Sequence, residues 1–407
     1  MSDLPISPVA PQPSRRRVLV SLLSAAGVMA LPSCGGGGGG GVAGVDTGGT
    51  GSFSAGRITG FGSIIVNGVR FEDNAARVSD DDGGTLAASA LQLGMVVRVQ
   101  AGAITPGSGD VLPSATATEI VVESQIKGPV ESKTGTDTLV VFGQTVKVNA
   151  ATVFEPGVTF DNIVAGNILE VHGFADAAGV VTASRIEREN NANEFKVRGF
   201  IANLDATAKT FDIGGASFNF QNATRLPSTA LQNGLFVRVR TVRPPVQNGA
   251  GEWLVERIDL RDPFDDKDEA EIEGILVLNA GVFSVNGVTI DTSRLAAGAA
   301  QALVGQNVEV EGQLADGVLI ARKIELEDVD DAARVDVRGP ASAVNKTAQT
   351  FVVRGLTFHY STDTNVTRVD DGTIAADLVD GANIRVRGTL PVGGAGNIEA
   401  TRIDFRP

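Results

Sequence analysis

The chain has 407 residues and a net charge of −14, from 34 Lys and Arg against 48 Asp and Glu. A surface this acidic repels phosphate backbones and anionic lipid headgroups, so the composition argues against a nucleic-acid-binding protein. Only 5% of the residues are aromatic, and 50 are glycine, which is typical of small β-rich units with tight turns. The single cysteine, Cys34, excludes an intrachain disulfide.

Residues 1–34 have the layout of an export signal. Three arginines, Arg15–Arg17, precede an apolar run from Val18 to Leu31. A basic stretch, a short apolar stretch and a small-residue cleavage site are the parts of a signal peptide. The sequence Leu-Pro-Ser-Cys that ends at Cys34 resembles a bacterial lipobox. This resemblance implies cleavage before Cys34 and lipidation of Cys34, which would anchor the protein in a membrane.

The export route stays open, because Ser14–Leu19 also resembles a twin-arginine signal. Residues 35–52 are rich in glycine and are expected to form a flexible tether. Gly35, rather than an aspartate, follows Cys34, which favours the outer membrane. We therefore expect an extracytoplasmic, membrane-anchored lipoprotein of the outer membrane or the periplasmic face.

A six-residue motif recurs about every 70 residues, which indicates a tandem array of small units. Each copy is a glycine, two variable residues, an apolar residue, a charged residue and a valine, an alternation typical of a half-buried strand. The copies are Gly94–Val99, Gly166–Val171, Gly234–Val239, Gly305–Val310 and Gly381–Val386. The apolar residues are expected to face a barrel core. The charged residues are expected to point outward; they are Arg98, Glu170, Arg238, Glu309 and Arg385.

Three further signals recur in register with this motif. An apolar-x-Gly triplet such as Ile58–Gly60 predicts a bulge or bend. A glycine-centred hairpin follows, with Asn67-Gly68 and Asn286-Gly287 as the strongest type I′ turn signals. A closing strand ends each unit with Ala-x-x-Ile or Val-x-x-Ile, as at Ala117–Ile120. Before the six-residue motif, residues 85–91, 228–232 and 293–303 predict a short helix.

This order of elements predicts an all-β chain: a tandem array of five small OB-like five-stranded β-barrels, each with one short helix. Acidic stretches between some of the units, such as 262–269 and 325–331, are predicted to be linkers. The predicted repeats are 53–123, 124–192, 193–268, 269–333 and 334–407.

Together, the apolar-x-Gly triplet, the glycine hairpin, Gly-x-x-Val-x-Val and Ala-x-x-Ile resemble an uncharacterised bacterial repeat family. That family is known only as a domain of unknown function, and it occurs in tandem in secreted proteins and lipoproteins. The resemblance covers almost all of residues 53–405. It implies an extracytoplasmic β-rich protein, and it brings no catalytic residue with it.

No catalytic residue, cofactor site or metal site is predicted. The two histidines, His172 and His359, lie in different repeats, and His172 is predicted to be exposed on a strand. The 18 phenylalanines, for instance Phe71, Phe218 and Phe358, are predicted to pack the cores. Weak Ca²⁺ binding is conceivable at four acidic clusters, which are otherwise solvated loops and linkers. They are Asp80–Asp82, Asp262–Glu269, Glu327–Asp331 and Asp370–Asp371.

We therefore expect a lipid-anchored binding or structural module of the bacterial cell envelope that has no catalytic activity. Its partners would be the membrane, through Cys34, and an envelope protein or glycan. The alternative is a carboxylate-dependent envelope hydrolase acting on a glycan, because glycoside hydrolysis needs two carboxylates at a defined separation.

Overall fold

Most of the described residues lie in β-strands, so the chain is all-β as predicted. The structure is a computed structural model that describes residues 51–190, 194–260, 265–361, 364–367, 377–391 and 396–405. The predicted signal peptide and the lipidation site Cys34 lie outside these residues. Residues 48–407 form one compact unit. Within the described residues, no helix is long and apolar enough to cross a membrane.

The first six strands form a small closed ring, which we call ring 1. They are β1 (Ser52–Phe61), β2 (Ile64–Val66), β3 (Val69–Glu72), β4 (Arg77–Asp80), β5 (Val96–Ala101) and β6 (Ser114–Val122). β1 pairs antiparallel with β2 and β5, and β2 pairs antiparallel with β3. β6 closes the ring by pairing parallel with β3 and antiparallel with β5. β4 is a short extra strand that pairs parallel with the end of β6.

The same circuit of pairings recurs along the chain and produces further small five-stranded barrels. Ring 2 contains β7 (Ile126–Thr134), β8 (Thr138–Val141), β9 (Gln144–Lys147), β10 (Val153–Phe154), β11 (Ile168–Ala175) and β12 (Val181–Glu189). Ring 3 contains β13 (Lys196–Phe200), β14 (Ala202–Asp205), β15 (Thr210–Ile213), β16 (Ala216–Asn219), β17 (Phe236–Thr241) and β18 (Trp253–Leu260). Ring 4 contains β19 (Lys267–Asn279), β20 (Val282–Val285), β21 (Val288–Asp291), β22 (Asn307–Ala315) and β23 (Val318–Leu326). Ring 5 contains β24 (Arg334–Asn345), β25 (Thr350–Val353), β26 (Leu356–His359), β27 (Asn365–Thr367), β28 (Asn383–Thr389) and β29 (Ile398–Phe405).

The core positions predicted from the six-residue motif are confirmed. Both apolar residues of every copy are buried, from Val97 and Val99 in ring 1 to Ile384 and Val386 in ring 5. Phe71, Phe218 and Phe358 are also fully buried, as predicted. Strict alternation identified these positions because successive side chains of a strand point to opposite faces.

The glycine that opens each motif has one structural role throughout. It has a positive φ in every ring, from +81° at Gly94 to +88° at Gly381, which L side chains rarely adopt. Its backbone N–H donates to a carbonyl in the first strand of the ring, as Gly94 does to the Ile58 carbonyl at 2.9 Å, or, in ring 3, to the Ile201 carbonyl directly after that strand. The glycine therefore turns the chain so that the next strand aligns with the first.

The hairpin prediction is confirmed at both Asn-Gly turns. Asn67 and Gly68 have φ values of +48° and +74°, and Asn286 and Gly287 have the same combination of positive values. Positive φ at both central residues defines the type I′ turn. In ring 1, the pairing of β1 with β2 also shifts register between Ile58 and Gly60, which is the predicted bulge.

The prediction of one short helix in each unit is confirmed only in part. Within the described residues, the predicted segments of rings 1 and 4 contain three-residue 3₁₀ helices, Ala88–Ala90 and Gln301–Leu303, whereas residues 228–232 contain no helix. The α-helix α1 (Val329–Ala332) lies between β23 and β24, where none was predicted, and the Asp328 side chain caps it by accepting from the Asp331 N–H. Three residues form few hydrogen bonds against the cost of helix nucleation, so these segments do not extend into α-helices.

Ring 1 contacts each of the other rings. β1 pairs in parallel with β19 of ring 4 through Ser52–Ala55 and with β24 of ring 5 through Gly60 and Phe61. Rings 2 and 3 pair through β7 and β13 and share one apolar core, in which the Phe142 and Trp253 rings lie 4.6 Å apart. Contacts of ring 1 with ring 2 include an apolar contact between Val96 and Phe174, and its contacts with rings 2 and 3 also use polar side chains, which form the sites described next.

Candidate functional site

The outward charges of the six-residue motifs are largely buried between rings. They point away from their own cores, as predicted, but most of them meet a charge of the opposite sign. Arg98 pairs with Glu123 at 2.8 Å, and Lys127 pairs with Glu170 at 2.6 Å. Arg385, with a side chain 3% exposed, forms a bidentate pair with Asp336.

The most buried charge cluster, the Asp81 junction, consists of Asp81, Lys196, Arg198 and Arg238. Asp81 lies in the loop that follows β4 of ring 1, and the cations lie on β13 and β17 of ring 3. The Asp81 side chain is 2% exposed and bonds to Lys196 at 2.6 Å and to Arg198 at 2.5 Å. Burial raises the pKa of Asp81, but the three cations outweigh it and hold the pKa well below the usual value. Asp81 is therefore ionised across the neutral range.

The prediction that Asp80–Asp82 form a solvated loop is wrong for Asp81. Oxygens of Asp81, Asp82 and Glu194 lie within 4.8 Å of one another, a spacing that a cation could bridge. Cations of the protein already balance the negative charge of these carboxylates, however, because Lys196 binds Asp81 and Arg240 binds both Asp82 and Glu194. Asp80 uses its carboxylate within the loop, by accepting from the backbone N–H groups of Asp82 and Gly84. The geometry favours an ionic joint between rings 1 and 3 over a Ca²⁺ site.

A second loop of ring 1 reaches the charged face of ring 5. Asp110, in the loop between β5 and β6, pairs with Arg402 at 2.9 Å and with Arg387 at 3.6 Å. Its backbone carbonyl accepts from Arg385 Nη1 at 2.6 Å. Arg402 and Arg387 thus hold the Asp110 carboxylate at ring 5, as Lys196 and Arg198 hold Asp81 at ring 3.

Ring 4 has an acidic face, which we define as Glu271, Glu273, Glu309 and Glu311. The register places Glu271 opposite Glu311 and Glu273 opposite Glu309. Arg57 of ring 1 binds Glu273 at 3.0 Å, and Lys323 binds Glu311 at 2.6 Å. Among the described residues, no ion pair involves the carboxylates of Glu271 and Glu309. This face therefore holds more carboxyl groups than cations.

Two carboxyl groups of the acidic face have strongly raised pKa values. Burial, followed by the nearby Glu311 carboxylate, raises the pKa of Glu271 to about 8. Burial, followed by Glu271 and Glu327, raises the pKa of Glu309 to about 8. Glu271 Oε2 is buried without a hydrogen-bond partner. Carboxyl groups that retain a proton near neutral pH are typical of general acids, and they also occur at strained structural contacts.

A cavity of about 350 Å³, which we call the junction cavity, lies where ring 2, ring 4 and α1 meet. Its wall includes Phe174 of ring 2 and Ile275 of ring 4, both of which are buried. Arg57 of ring 1 and Asn307 of ring 4 contribute polar groups to the wall. A volume in this range is typical of small-ligand sites in proteins.

His172 is buried, so the prediction that it is exposed is wrong. Its Nδ1 lies 3.0 Å from the Glu123 carbonyl of ring 1, and its side chain is covered where rings 1 and 2 meet. Burial lowers the pKa of His172, which leaves the ring neutral at pH 7. His359, in contrast, is partly exposed and lies 2.9 Å from Glu399 Oε2. The two histidines do not come together.

The other predicted acidic clusters differ in what their carboxylates contact and in whether the structure describes them. In Glu327–Asp331, Glu327 pairs with Arg57, Asp328 caps α1 and Asp331 pairs with Arg334. Residues 261–264 and Asp370–Asp371 lie outside the described residues, as does Cys34. The described part of these clusters is used in local structure and ion pairs.

Comparison with known families finds a match to three segments of the chain. The model of a domain of unknown function (DUF5666) matches residues 127–187, 270–325 and 338–404. Each matched segment begins in the first strand and ends in the last strand of ring 2, ring 4 or ring 5. No curated protein matches the chain. A domain of unknown function is therefore matched in repeated segments, as the resemblance of the motifs predicted, and each matched segment coincides with a ring.

Proposed function

We propose that the protein is a lipid-anchored, extracytoplasmic binding or structural module of the bacterial cell envelope. In this proposal residues 1–34 are the signal peptide, Cys34 carries the lipid and residues 35–52 are the tether. Residues 53–407 are a tandem array of five OB-like barrels with the boundaries predicted above. The array would face the periplasm or the cell exterior, and its partner would be an envelope protein or glycan.

The observation that carries the proposal is the way in which ring 1 joins the other rings. Asp81, Asp110 and Arg57 of ring 1 each bind an oppositely charged group on a different ring. Ion pairs between barrels hold the barrels in place before a partner binds. The binding surface is therefore preformed, and little conformational entropy is lost when the partner binds. Such a scaffold suits a binding or structural role at the end of a tether.

Anchoring is tested by replacing Cys34 with alanine in cells. We expect the wild-type protein to incorporate labelled palmitate and to fractionate with membranes, whereas Cys34→Ala incorporates none and is released. Ser33→Ala, which keeps the cysteine and a small residue before it, is the matched control and should remain lipidated. A Cys34→Ala protein that stays in the membrane fraction would contradict the anchor.

A glycan array and a pull-down from envelope extract test binding, and negative results in both would leave only a spacer role.

The acidic face of ring 4 favours one alternative, a glycan hydrolase. Glu271 and Glu309 lie on paired strands and both have a pKa near 8, so near pH 8 one could act as the acid while the other is ionised. In this case the wild-type protein releases reducing sugars from an envelope glycan, and both Glu271→Gln and Glu309→Gln lose at least 100-fold of the rate. Glu269→Gln, an exposed change on the same strand, should retain it. Equal rates in all three variants would reject the hydrolase.

A further inference from the structure

The five rings form two groups. Rings 1, 4 and 5 belong to one continuous set of paired strands, and rings 2 and 3 belong to another. Among the described residues, no strand of one group pairs with a strand of the other, so side chains and the segment after β6 hold the boundary between the groups. The junction cavity, with a volume of about 350 Å³, lies on this boundary between Phe174 of ring 2 and Ile275 of ring 4. The two groups therefore pack less closely here than the interior of a protein does.

His172 lies on this boundary and is fully buried. It belongs to β11 of ring 2, and its Nδ1 lies 3.0 Å from the backbone carbonyl of Glu123, which follows β6 of ring 1. The Val96 N–H is farther from the same nitrogen, at 3.4 Å, so the contact with the carbonyl decides which ring nitrogen carries the proton. A carbonyl oxygen only accepts, so the proton is on Nδ1. The other nitrogen, Nε2, is then unprotonated, and it is buried without a hydrogen-bond partner.

A second proton on this imidazole would be poorly accommodated within ring 2. It would place a charged donor at Nε2, where nothing accepts from it, and burying such a charge is costly. Glu170 and Glu187 attract a protonated ring, but Lys127 binds Glu170 and Arg185 binds Glu187, each at 2.6 Å. Arg185, directly opposite His172 in the register of β11 and β12, also repels a positive charge.

The carboxylates that the other ring group brings to this boundary are paired with arginines. The Glu123 carboxylate binds Arg98 at 2.8 Å and Arg198 at 3.2 Å. On β19, which packs against β11, Glu273 binds Arg57 at 3.0 Å. A protonated His172 therefore gains little from its surroundings while the boundary is closed, whereas water would solvate it if the two groups separated.

We propose that His172 is a pH switch at the boundary between the two ring groups: the neutral ring keeps the boundary closed, and protonation of the ring opens it. Opening exposes the apolar contact of Val96, Phe174 and Ile275, which is buried in the closed state. An exposed imidazole has a pKa of about 6.5, so the open population rises by up to about tenfold for each pH unit below that value. This switch is a property of the folded rings, so it is independent of the anchor at Cys34 and of any binding partner.

The test is hydrogen exchange of the purified full chain from pH 5 to pH 8, corrected for the pH dependence of exchange in an unstructured peptide. The Val96 N–H faces His172 at the boundary and reports its opening. We expect its protection factor to fall by up to about tenfold per pH unit below about pH 6.5. His172→Asn keeps a neutral donor near the Glu123 carbonyl and should remove this fall. His359→Asn, at the partly exposed histidine of ring 5, should keep it.

A second measurement tests the switch in the wild-type chain, where folding of a variant is not in question. The chain has two histidines, so NMR resolves their imidazole signals, and His359→Asn assigns them. The His172 signal should remain that of a neutral ring down to the pH at which Val96 exchange accelerates. Glu194 at the same boundary cannot produce the fall in protection, because burial raises its pKa and its contribution to the closed state grows as the pH falls.

Three results would overturn the proposal. The first is a protection factor of the Val96 N–H that does not fall between pH 7 and pH 5 in the wild type. The second is an equal fall in wild type and His172→Asn, which would assign the opening to another group. The third is a His172 ring that gains a proton near pH 6.5 while the Val96 N–H stays protected, which would show that the closed boundary accepts the charge.

Discussion

Replacing Asp81 with asparagine is expected to lower the free energy of unfolding by about 3–5 kcal/mol, the usual cost of removing one partner of a buried ion pair. The variant leaves Lys196, Arg198 and Arg238 buried without the carboxylate that now balances them. Arg198 also pairs with Glu123, so the strain would extend to a second ring 1 residue. Urea unfolding of the purified chain at pH 7, followed by circular dichroism, measures the loss.

The control and the pH dependence make this prediction specific. Asp161→Asn makes the same change at an exposed aspartate of ring 2 and should alter the free energy of unfolding by less than about 0.5 kcal/mol. The pKa of Asp81 is lowered in the folded state, so its contribution is complete above the unfolded pKa of about 3.9 and is lost as the pH falls below it. The difference between wild type and Asp81→Asn should therefore shrink below about pH 4. Equal urea midpoints for the two variants at pH 7 would show that the junction contributes no stability.

The barrel interiors could be predicted from the sequence because each depends on local pattern. Alternation identified the buried pair Val97 and Val99, and Asn67-Gly68 identified a turn whose backbone only a few residue types can adopt. Both signals are complete within about ten residues of chain. They do not depend on where the neighbouring rings lie.

The contacts between rings could not be predicted, because they join residues that are far apart in the sequence. Asp81 and Lys196 are 115 positions apart, and nothing near Asp81 distinguishes it from the solvated acids of an ordinary loop. His172 occupies an outward strand position, which is exposed in an isolated barrel and is buried only because ring 1 covers it. The sequence did contain one usable signal, since the motif charge is positive in rings 3 and 5, where acidic loops of ring 1 bind.

At most contacts between rings a carboxylate pairs with a cation, but on the acidic face of ring 4 Glu271 and Glu309 do not. This face should therefore make the free energy of unfolding depend on pH. The folded state raises the pKa of Glu271 and Glu309 from 4.5 to about 8. Between these values the folded protein binds more protons than the unfolded chain does. Stability therefore falls as the pH rises from about 4.5 to about 8, by at most about 1.4 kcal/mol per pH unit for each group, and it is constant with respect to these groups above that range.

The double variant Glu271→Gln/Glu309→Gln is expected to remove this dependence. Glutamine keeps the shape of the side chain and carries no charge, so the variant should be nearly as stable as the wild type at pH 5 and more stable than it by several kcal/mol at pH 8.5. Calorimetric melting from pH 5 to pH 9 measures both curves. Glu269→Gln, at an exposed position two residues before Glu271, removes only a minor cause of the raised Glu271 pKa and should stay close to the wild-type curve. If the double variant loses stability with rising pH as steeply as the wild type does, these carboxylates are already ionised in the folded protein, and the acidic face must be balanced by groups other than Arg57 and Lys323.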